Sequence, residues 1–215
     1  MLETLKVEKI ARSFKAGAAE NRVLKNISFS LKAGQVLVIT GKNGSGKTTL
    51  LKILAGLLLP DSGRILIKGL DAVKKQKEIK PFLGFMGSEE RALYWKLTGR
   101  QNLEFFAALY NIDRKTTADR IGKLALRLEL KEFLDKPVED CSLGMKQRIS
   151  IARCLLSHPE LVLFDEPLKG LDKKTREIFL EILGVLKKRK NCVIIATHNP
   201  EDFRSLKHRK LELSK

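Results

Sequence analysis

The sequence predicts an α/β domain with a mainly parallel β-sheet, an N-terminal antiparallel β subdomain and a helical subdomain. Two N-terminal segments, 3–10 and 22–31, alternate apolar and polar residues, which is typical of half-exposed strands. Three short apolar runs, at 34–40, 160–166 and 192–197, are typical of buried strands. A long stretch of helical periodicity separates the first run from the second. We therefore expect a helical insertion in an α/β core.

The segments after the first buried run alternate between helix and strand. An apolar helix is predicted over about 47–58, and the PDSG sequence at 60–63 predicts a turn. The RILIKG sequence at 64–69 predicts another strand, and the lysine-rich stretch 71–80 is expected to be exposed. The LGFM sequence at 83–86 begins like a further buried strand.

Helical periodicity dominates from about residue 98 to 157, and Thr98 and Gln101 form a capping-box pattern at its start. A last helix is expected after Asp172, with an apolar face made of Ile178, Phe179, Ile182, Leu183 and Leu186.

We predict one domain over residues 1–215. Its core spans about 1–88 and 158–215, and the helical subdomain spans about 89–157.

Composition favours a reduced, cytoplasmic protein. The longest apolar stretch, at 53–60, is far shorter than the roughly 20 residues that cross a bilayer, and the N-terminus does not resemble a signal peptide. The cysteines, Cys141, Cys154 and Cys192, are odd in number and lack CxxC spacing. The net charge of +17 favours anionic partners such as nucleotides, nucleic acid or membrane headgroups, but it equally fits a lysine-rich solvated surface.

The GKNGSGKT sequence at 41–48 matches the phosphate-loop pattern G-x-x-x-x-G-K-[ST] in full. Glycines let the backbone N–H groups wrap around phosphate oxygens, and the N-terminus of the following helix adds positive charge. The pattern predicts a P-loop NTPase core that binds a nucleoside triphosphate and Mg²⁺, with Lys47 on the β- and γ-phosphates and Thr48 on the metal. The predicted nucleotide-binding residues here are Gly41, Lys42, Asn43, Gly44, Ser45, Gly46, Lys47, Thr48 and Thr49.

The LVLFDE sequence ends a buried strand with two carboxylates. Asp165 is expected to hold Mg²⁺ through water, and Glu166 to act as the base that orients and polarises the attacking water. Alone, such a pair fits an ordinary ion contact better, but after a complete phosphate loop the catalytic interpretation is favoured.

The CSLGMKQRISIARCLL sequence at 141–156 resembles the signature of the ATP-binding cassette (ABC) family, which is normally LSGGQ. The order of phosphate loop, signature, acidic strand end, GLD at 170–172 and a histidine after a strand is also that of the family. The resemblance covers essentially the whole chain and implies a head-to-tail dimer, either a homodimer or a pseudo-dimer of cassettes. Each ATP then lies between the phosphate loop of one subunit and Ser142, Gly144 and Met145 of the other.

The chain departs from the family pattern at several positions. Leu143 replaces a glycine, and Met145 stands where glutamine is usual, a variant that looks like bacterial drug- and antibiotic-export cassettes. Leu168, followed by Lys169, replaces the usual threonine or serine after DEP, which weakens any prediction of polar contacts in that loop.

The resemblance implies roles for residues outside these motifs. His198 looks like the switch histidine that contacts the γ-phosphate, and Phe14 is placed to stack on adenine or, alternatively, to end a strand in the core. Ser88 occupies the position of the glutamine that lies near the metal and the attacking water, and either Ser88 or Glu89 takes that role. Tyr94 and Trp95 are expected either to contact a membrane permease or to pack within the helical subdomain.

The sequence therefore predicts the ATP-binding and hydrolysing subunit of an ABC transporter, with export favoured over import. A permease on a separate chain supplies the membrane span, and the subunit is peripheral on the cytoplasmic face of the membrane. The alternative is a soluble ABC ATPase that acts on nucleic acid or ribosomes. The basic charge supports that alternative, but the chain lacks the tandem cassettes or long coiled-coil insertions that such proteins usually carry.

Overall fold

The computed structural model describes residues 3–16, 19–87 and 93–214. The strands are β1 (Glu3–Ala16), β2 (Ala19–Lys32), β3 (Val36–Thr40), β4 (Ser62–Ile67), β5 (Leu70–Asp71), β6 (Leu83–Met86), β7 (Leu161–Asp165), β8 (Cys192–Ala196) and β9 (Arg209–Glu212). The α-helices are α1 (Lys47–Leu54), α2 (Gln76–Ile79), α3 (Gly99–Leu109), α4 (Arg114–Arg127), α5 (Leu143–Leu155) and α6 (Lys173–Lys188).

A parallel sheet with strand order β6-β7-β8-β3-β9 forms the centre of the molecule. Its central strands are apolar except at the last residues of β3 and β7, Thr40 and Asp165, because both faces are covered. In β8, Val193 and Ile195 join the core on one face, whereas Cys192 and Ile194 join the core on the other. This explains why the sequence signal of these strands is a continuous apolar run instead of an alternation.

An antiparallel sheet with strand order β2-β1-β4-β5 covers one side of the molecule. Its inward residues share a core with one face of the parallel sheet and with Leu50, Leu51 and Leu54 of α1. The helix that follows the phosphate loop is thereby anchored to both sheets.

Helices α3, α4 and α5 pack together and share the second core with the other face of the parallel sheet. The predicted capping box begins α3: the Gln101 amide donates to the Thr98 hydroxyl at 3.1 Å, and the Thr98 amide donates to the Gln101 side chain at 2.9 Å. The apolar face predicted for α6 is also buried.

Two predicted boundaries differ from the structure by the largest margins. β1 continues to Ala16 because it pairs with β2 in a long hairpin, in which Phe14 lies opposite Asn21. α1 ends at Leu54 rather than near residue 58, because Gly56 has a left-handed backbone (φ +71°). The amide of Gly56 donates to Ile53 and the amide of Leu57 donates to Lys52, the hydrogen bonds of a Schellman motif.

Across the described ranges, no helix combines the length and the apolar character needed to cross a membrane. The predicted boundary at residues 88 and 89 lies outside the described part of the chain. The predicted division into core and helical subdomain therefore stays a prediction.

Candidate functional site

Three neighbouring strands bring the predicted functional groups together. β7, β8 and β3 lie side by side and run in parallel, so their carboxyl ends meet at one edge of the sheet. Glu166 follows β7, His198 lies two residues after β8, and the loop 41–46 follows β3. This edge is where ligands bind in open α/β sheets.

The loop 41–46 wraps tightly because its glycines adopt backbone angles that other residues avoid. Gly41, Gly44 and Gly46 all have positive φ. At Gly46 (φ +97°), a Cβ atom would lie 2.8 Å from side-chain carbons of Val23 and Leu24, so the hairpin leaves no room for a side chain. The positive φ and the close packing against the hairpin are thus two separate reasons for a glycine at position 46.

Lys47 begins α1 and folds back over the loop. Its ammonium group donates to the carbonyl oxygens of Gly41 at 2.7 Å and Lys42 at 3.2 Å, and the residue is 6% exposed. The Ser45 hydroxyl is also buried, and no group in the described part of the chain bonds it. A buried ammonium and a free hydroxyl in one loop fit an anion with several oxygen acceptors, such as a phosphate chain.

Thr48 and Asp165 meet at the end of β7. The Thr48 hydroxyl donates to a carboxylate oxygen of Asp165 at 2.8 Å, and Asp165 is 1% exposed. Both side chains offer oxygen atoms, which are the ligands that Mg²⁺ prefers, and only a few of them are needed because Mg²⁺ usually keeps several waters. The donor set therefore fits a magnesium ion.

Glu166 and His198 form a hydrogen-bonded pair. His198 Nδ1 lies 2.8 Å from a carboxylate oxygen of Glu166, whose backbone has a left-handed φ of +48°. Since an ionised carboxylate only accepts hydrogen bonds, Nδ1 carries the proton in this pair. The Glu166 side chain is 15% exposed and that of His198 is 51% exposed, so solvent reaches the pair from the histidine side.

These groups surround a cavity of about 600 Å³, which is within the usual size range of small-molecule sites. Phe14 is part of its wall, is partly exposed, and has the Arg12 guanidinium 4.9 Å from its ring centre. The residues that line the cavity are Phe14, Val23, Asn43, Gly44, Gly46, Lys47, Thr48, Thr49, Glu166, Lys169 and His198. Of the predicted loop residues, Gly41, Lys42 and Ser45 do not line it.

Sequence reasoning missed two lining residues. Val23 reaches the cavity from β2, a strand whose alternation the sequence shows but whose inner face it does not assign. Lys169 is visible in the sequence only as a departure from the family pattern.

The signature residues lie apart from this cavity. Ser142 caps α5 by accepting a hydrogen bond from the Met145 amide at 3.3 Å, and neither residue lines the cavity of its own chain. Gly144 packs closely against α6, where a Cβ atom would lie 3.0 Å from the Thr175 hydroxyl. The Thr175 amide also lowers the pKa of Asp172, which caps α6 in its charged form.

The remaining predicted residues fall into two groups. Ser88 and Glu89 lie outside the described residues. Tyr94 and Trp95 are 51% and 41% exposed, and the Tyr94 ring meets the Phe105 ring edge-on at 5.0 Å. Tyr94 therefore packs within the helical region, while both Tyr94 and Trp95 keep part of their side chains exposed to solvent.

Comparisons with known proteins agree with one another. The model of the family described as ABC transporter matches residues 24–169. The chain is 35% identical over 185 residues to the ABC transporter ATP-binding protein NatA of Bacillus subtilis, covering 86% of this chain and 75% of NatA. It is 36% identical over 205 residues to the macrolide export ATP-binding/permease protein MacB of Salmonella typhimurium, covering 93% of this chain but only 32% of MacB.

Among solved structures, a dimeric ATP-binding cassette, MJ0796, in a post-hydrolysis state with ADP and Pi bound is 27% identical to this chain. Its TM-score is 0.88, and the match covers 98% of this chain and 94% of the cassette. These findings confirm the predicted family resemblance, the fold class and the ATPase activity. They lend no support to the nucleic-acid alternative.

Proposed function

Because this chain belongs to the ABC transporter family, we propose that it is the ATP-hydrolysing subunit of an exporter whose membrane span is a separate permease. The observation that carries the proposal is the convergence of the phosphate loop, the Thr48–Asp165 contact and the Glu166–His198 pair on one cavity.

The residues around the cavity have separate roles in the ATP hydrolysis that we propose. Phe14 stacks on adenine, while the loop amides and Lys47 hold the phosphates. Thr48 and Asp165, with Ser88 as a further candidate ligand, hold Mg²⁺, which when bound neutralises charge on the phosphate oxygens.

Glu166 orients a water for attack on the terminal phosphorus and accepts its proton. The hydrogen bond at 2.8 Å from His198 keeps the Glu166 carboxylate in place. The other ring nitrogen donates to a phosphate oxygen when the imidazole carries a proton on both nitrogens.

A second cassette completes the site in this proposal. Ser142, Gly144 and Met145 do not line the cavity of their own chain, so their contact with nucleotide requires another copy or a related cassette. The first turn of α5 suits that contact, since its N–H groups and helix dipole favour an anion. This arrangement supports a head-to-tail dimer in the ATP-bound state.

We place the permease contact at Tyr94 and Trp95. The Trp95 carbonyl accepts from the Glu139 amide at 3.0 Å, and the Lys146 ammonium lies 4.8 Å from the centre of the Trp95 ring. Lys146 belongs to the helix that Ser142 caps. A permease segment docked on Trp95 would thus lie beside a side chain of the signature helix, which offers a physical route from docking to the nucleotide site.

Export and a peripheral position on the cytoplasmic face of the membrane belong to the same proposal. The SLGMKQR variant of the signature and the similarity to the export protein MacB support export. The chain spans 75% of NatA and about a third of MacB, and MacB is named as both ATP-binding protein and permease.

Calorimetry with ATP tests the nucleotide site. Lys47→Ala removes the ammonium from the loop, and we expect ATP to bind at least about tenfold more weakly. Lys52→Ala on the same helix, outside the cavity, serves as the control and should bind ATP normally. Equal affinity of Lys47→Ala and the unchanged protein contradicts the assignment.

Co-expression with a candidate ABC permease tests the transporter role. Trp95→Ala is expected to lose the permease-stimulated part of ATP hydrolysis and to keep the basal part. Leu59→Ala, which removes another exposed apolar side chain, is the control. Full stimulation of Trp95→Ala argues against docking at this surface.

A further inference from the structure

We propose that Lys169 is a second lysine of the nucleotide pocket and binds the terminal phosphate of the ATP held by its own chain. The inference rests on the proposed function of the cavity, and it adds a binding residue where the motifs of the sequence predict none.

The charges that line the cavity point to an anion near Lys169. Glu166 is the one carboxylate among the described lining residues, and it is already bonded to His198. The Lys47 ammonium is held by two carbonyl oxygens of the loop. In the described ranges, no carboxylate lies within ion-pair distance of the Lys169 ammonium. Among the described residues, the wall of the cavity therefore has a lysine that is not paired with a carboxylate.

Hydrogen bonding and packing hold the backbone on both sides of Lys169. The position of its Cα atom relative to the cavity is therefore well defined. The Lys169 amide donates to the Glu166 carbonyl at 3.2 Å. The neighbour Leu168 is buried, at 5% exposed, while Lys169 itself is exposed. On the other side, a Cβ atom on Gly170 (φ +71°) would lie 3.1 Å from Leu143.

The turn is also attached to the helix that carries the signature. The Gln147 side chain donates to the Pro167 carbonyl at 2.9 Å. Lys169 thus lies on a turn held between Glu166 and α5, and only its long, flexible side chain is free to reach into the cavity.

The terminal phosphate is the group that best matches this position. Glu166 lies three residues before Lys169 in the same turn, and its proposed role is at the terminal phosphorus. ATP carries one negative charge more than ADP, and this charge lies on the phosphate that ADP lacks. A lysine on that phosphate consequently improves ATP binding more than ADP binding, and because it is exposed, salt weakens its effect.

The test compares ATP and ADP affinities of Lys169→Gln by calorimetry, in a Glu166→Gln background that prevents hydrolysis. We expect ATP to bind about five times more weakly and ADP less than twice as weakly at low salt, with the difference shrinking at high salt. Lys169→Arg, which keeps the charge, should restore ATP affinity. Lys173→Gln, an equal charge change at an exposed site outside the cavity, should leave both affinities unchanged.

Three results would overturn the inference. One is an unchanged ATP affinity of Lys169→Gln, and another is an equal loss for ATP and ADP. The third is a loss that appears only in the ATP-driven dimer and not in the monomer, which places the lysine on the nucleotide of the partner copy. Lys47→Ala tests the proposed nucleotide site independently of Lys169. If the cavity binds ATP, this variant weakens ATP binding whether or not Lys169 contributes.

Discussion

The nucleotide cavity and the first turn of α5 differ in how much of their chemistry one copy of the chain supplies. Groups from three strand ends and a hairpin line the cavity, and the side chains of Thr48 and His198 in its wall are each hydrogen-bonded to a carboxylate. The first turn of α5 is capped and packed, but it faces no ligand-binding group of its own chain within the described residues. Ser142 and its neighbours therefore form the surface at which we propose that a second cassette binds.

This difference separates two kinds of functional residue. Parallel strands place residues of the cavity side by side as a direct result of folding, so the cavity exists in the monomer. Ser142 is positioned equally well, by its own cap and by the packing of Gly144 on α6, but the function proposed for it depends on association. Mutations in the two regions should therefore affect binding, turnover and dimerisation differently.

The largest effect is expected for Glu166→Gln, which keeps the shape of the cavity and removes the base. The amide oxygen still accepts from His198, so ATP affinity should change less than threefold while turnover falls by about 10²–10³-fold. Steady-state hydrolysis and calorimetry measure the two quantities. Glu160→Gln, at the opposite end of β7, is the control. Turnover near that of the unchanged protein would show that the base lies elsewhere.

A smaller effect, confined to association, is expected for Ser142→Asp. Aspartate caps a helix as well as serine does, so the fold is kept, but its carboxylate repels the phosphate of a partner. ATP-driven dimerisation in the Glu166→Gln background should weaken by at least about tenfold, with ATP affinity of the monomer unchanged. Sedimentation velocity measures the dimerisation. Ser142→Asn, which keeps an uncharged helix cap, is the matched control. Normal dimers of Ser142→Asp would place the signature outside the dimer contact.

The smallest effect is expected for Thr98→Ala, which belongs to neither region. Loss of the capping box at α3 should reduce the free energy of unfolding by about 1 kcal/mol. ATP affinity should stay the same, because Thr98 does not line the cavity. Denaturant unfolding provides the measurement, and Thr98→Ser, which retains the cap, should be close to neutral. A changed ATP affinity would mean that the helical region and the cavity are more closely coupled than their contacts suggest.

The central strands and the phosphate loop could be predicted from the sequence because their signals are local. A strand buried on both faces reads as a nearly continuous apolar run, and a loop that wraps phosphate needs glycines at fixed spacing. The predicted end of α1 lies too far along the chain because the apolar run continues past Leu54, although Gly56 is a helix-stop signal in the sequence itself.

Val23 and Lys169 could not be predicted in the same way. Val23 lines the cavity only because the hairpin of β1 and β2 folds over Gly46, and the register of a hairpin decides which side chain points inward. Lys169 lines it because the turn after β7 begins with a left-handed Glu166, a conformation that the surrounding packing imposes. Both depend on contacts between distant parts of the chain.

The contact between Trp95 and Lys146 has an optical consequence. Trp95 is the only tryptophan of the chain, its ring is 41% exposed, and it has an ammonium group 4.8 Å from its centre. Indole fluorescence responds to solvent and to nearby charge. The tryptophan emission of the protein therefore reports on the contact between the exposed aromatic surface and the signature helix. A partner that covers this surface should change that emission, and so should a nucleotide that contacts the first turn of α5. Neither measurement needs a label on the protein.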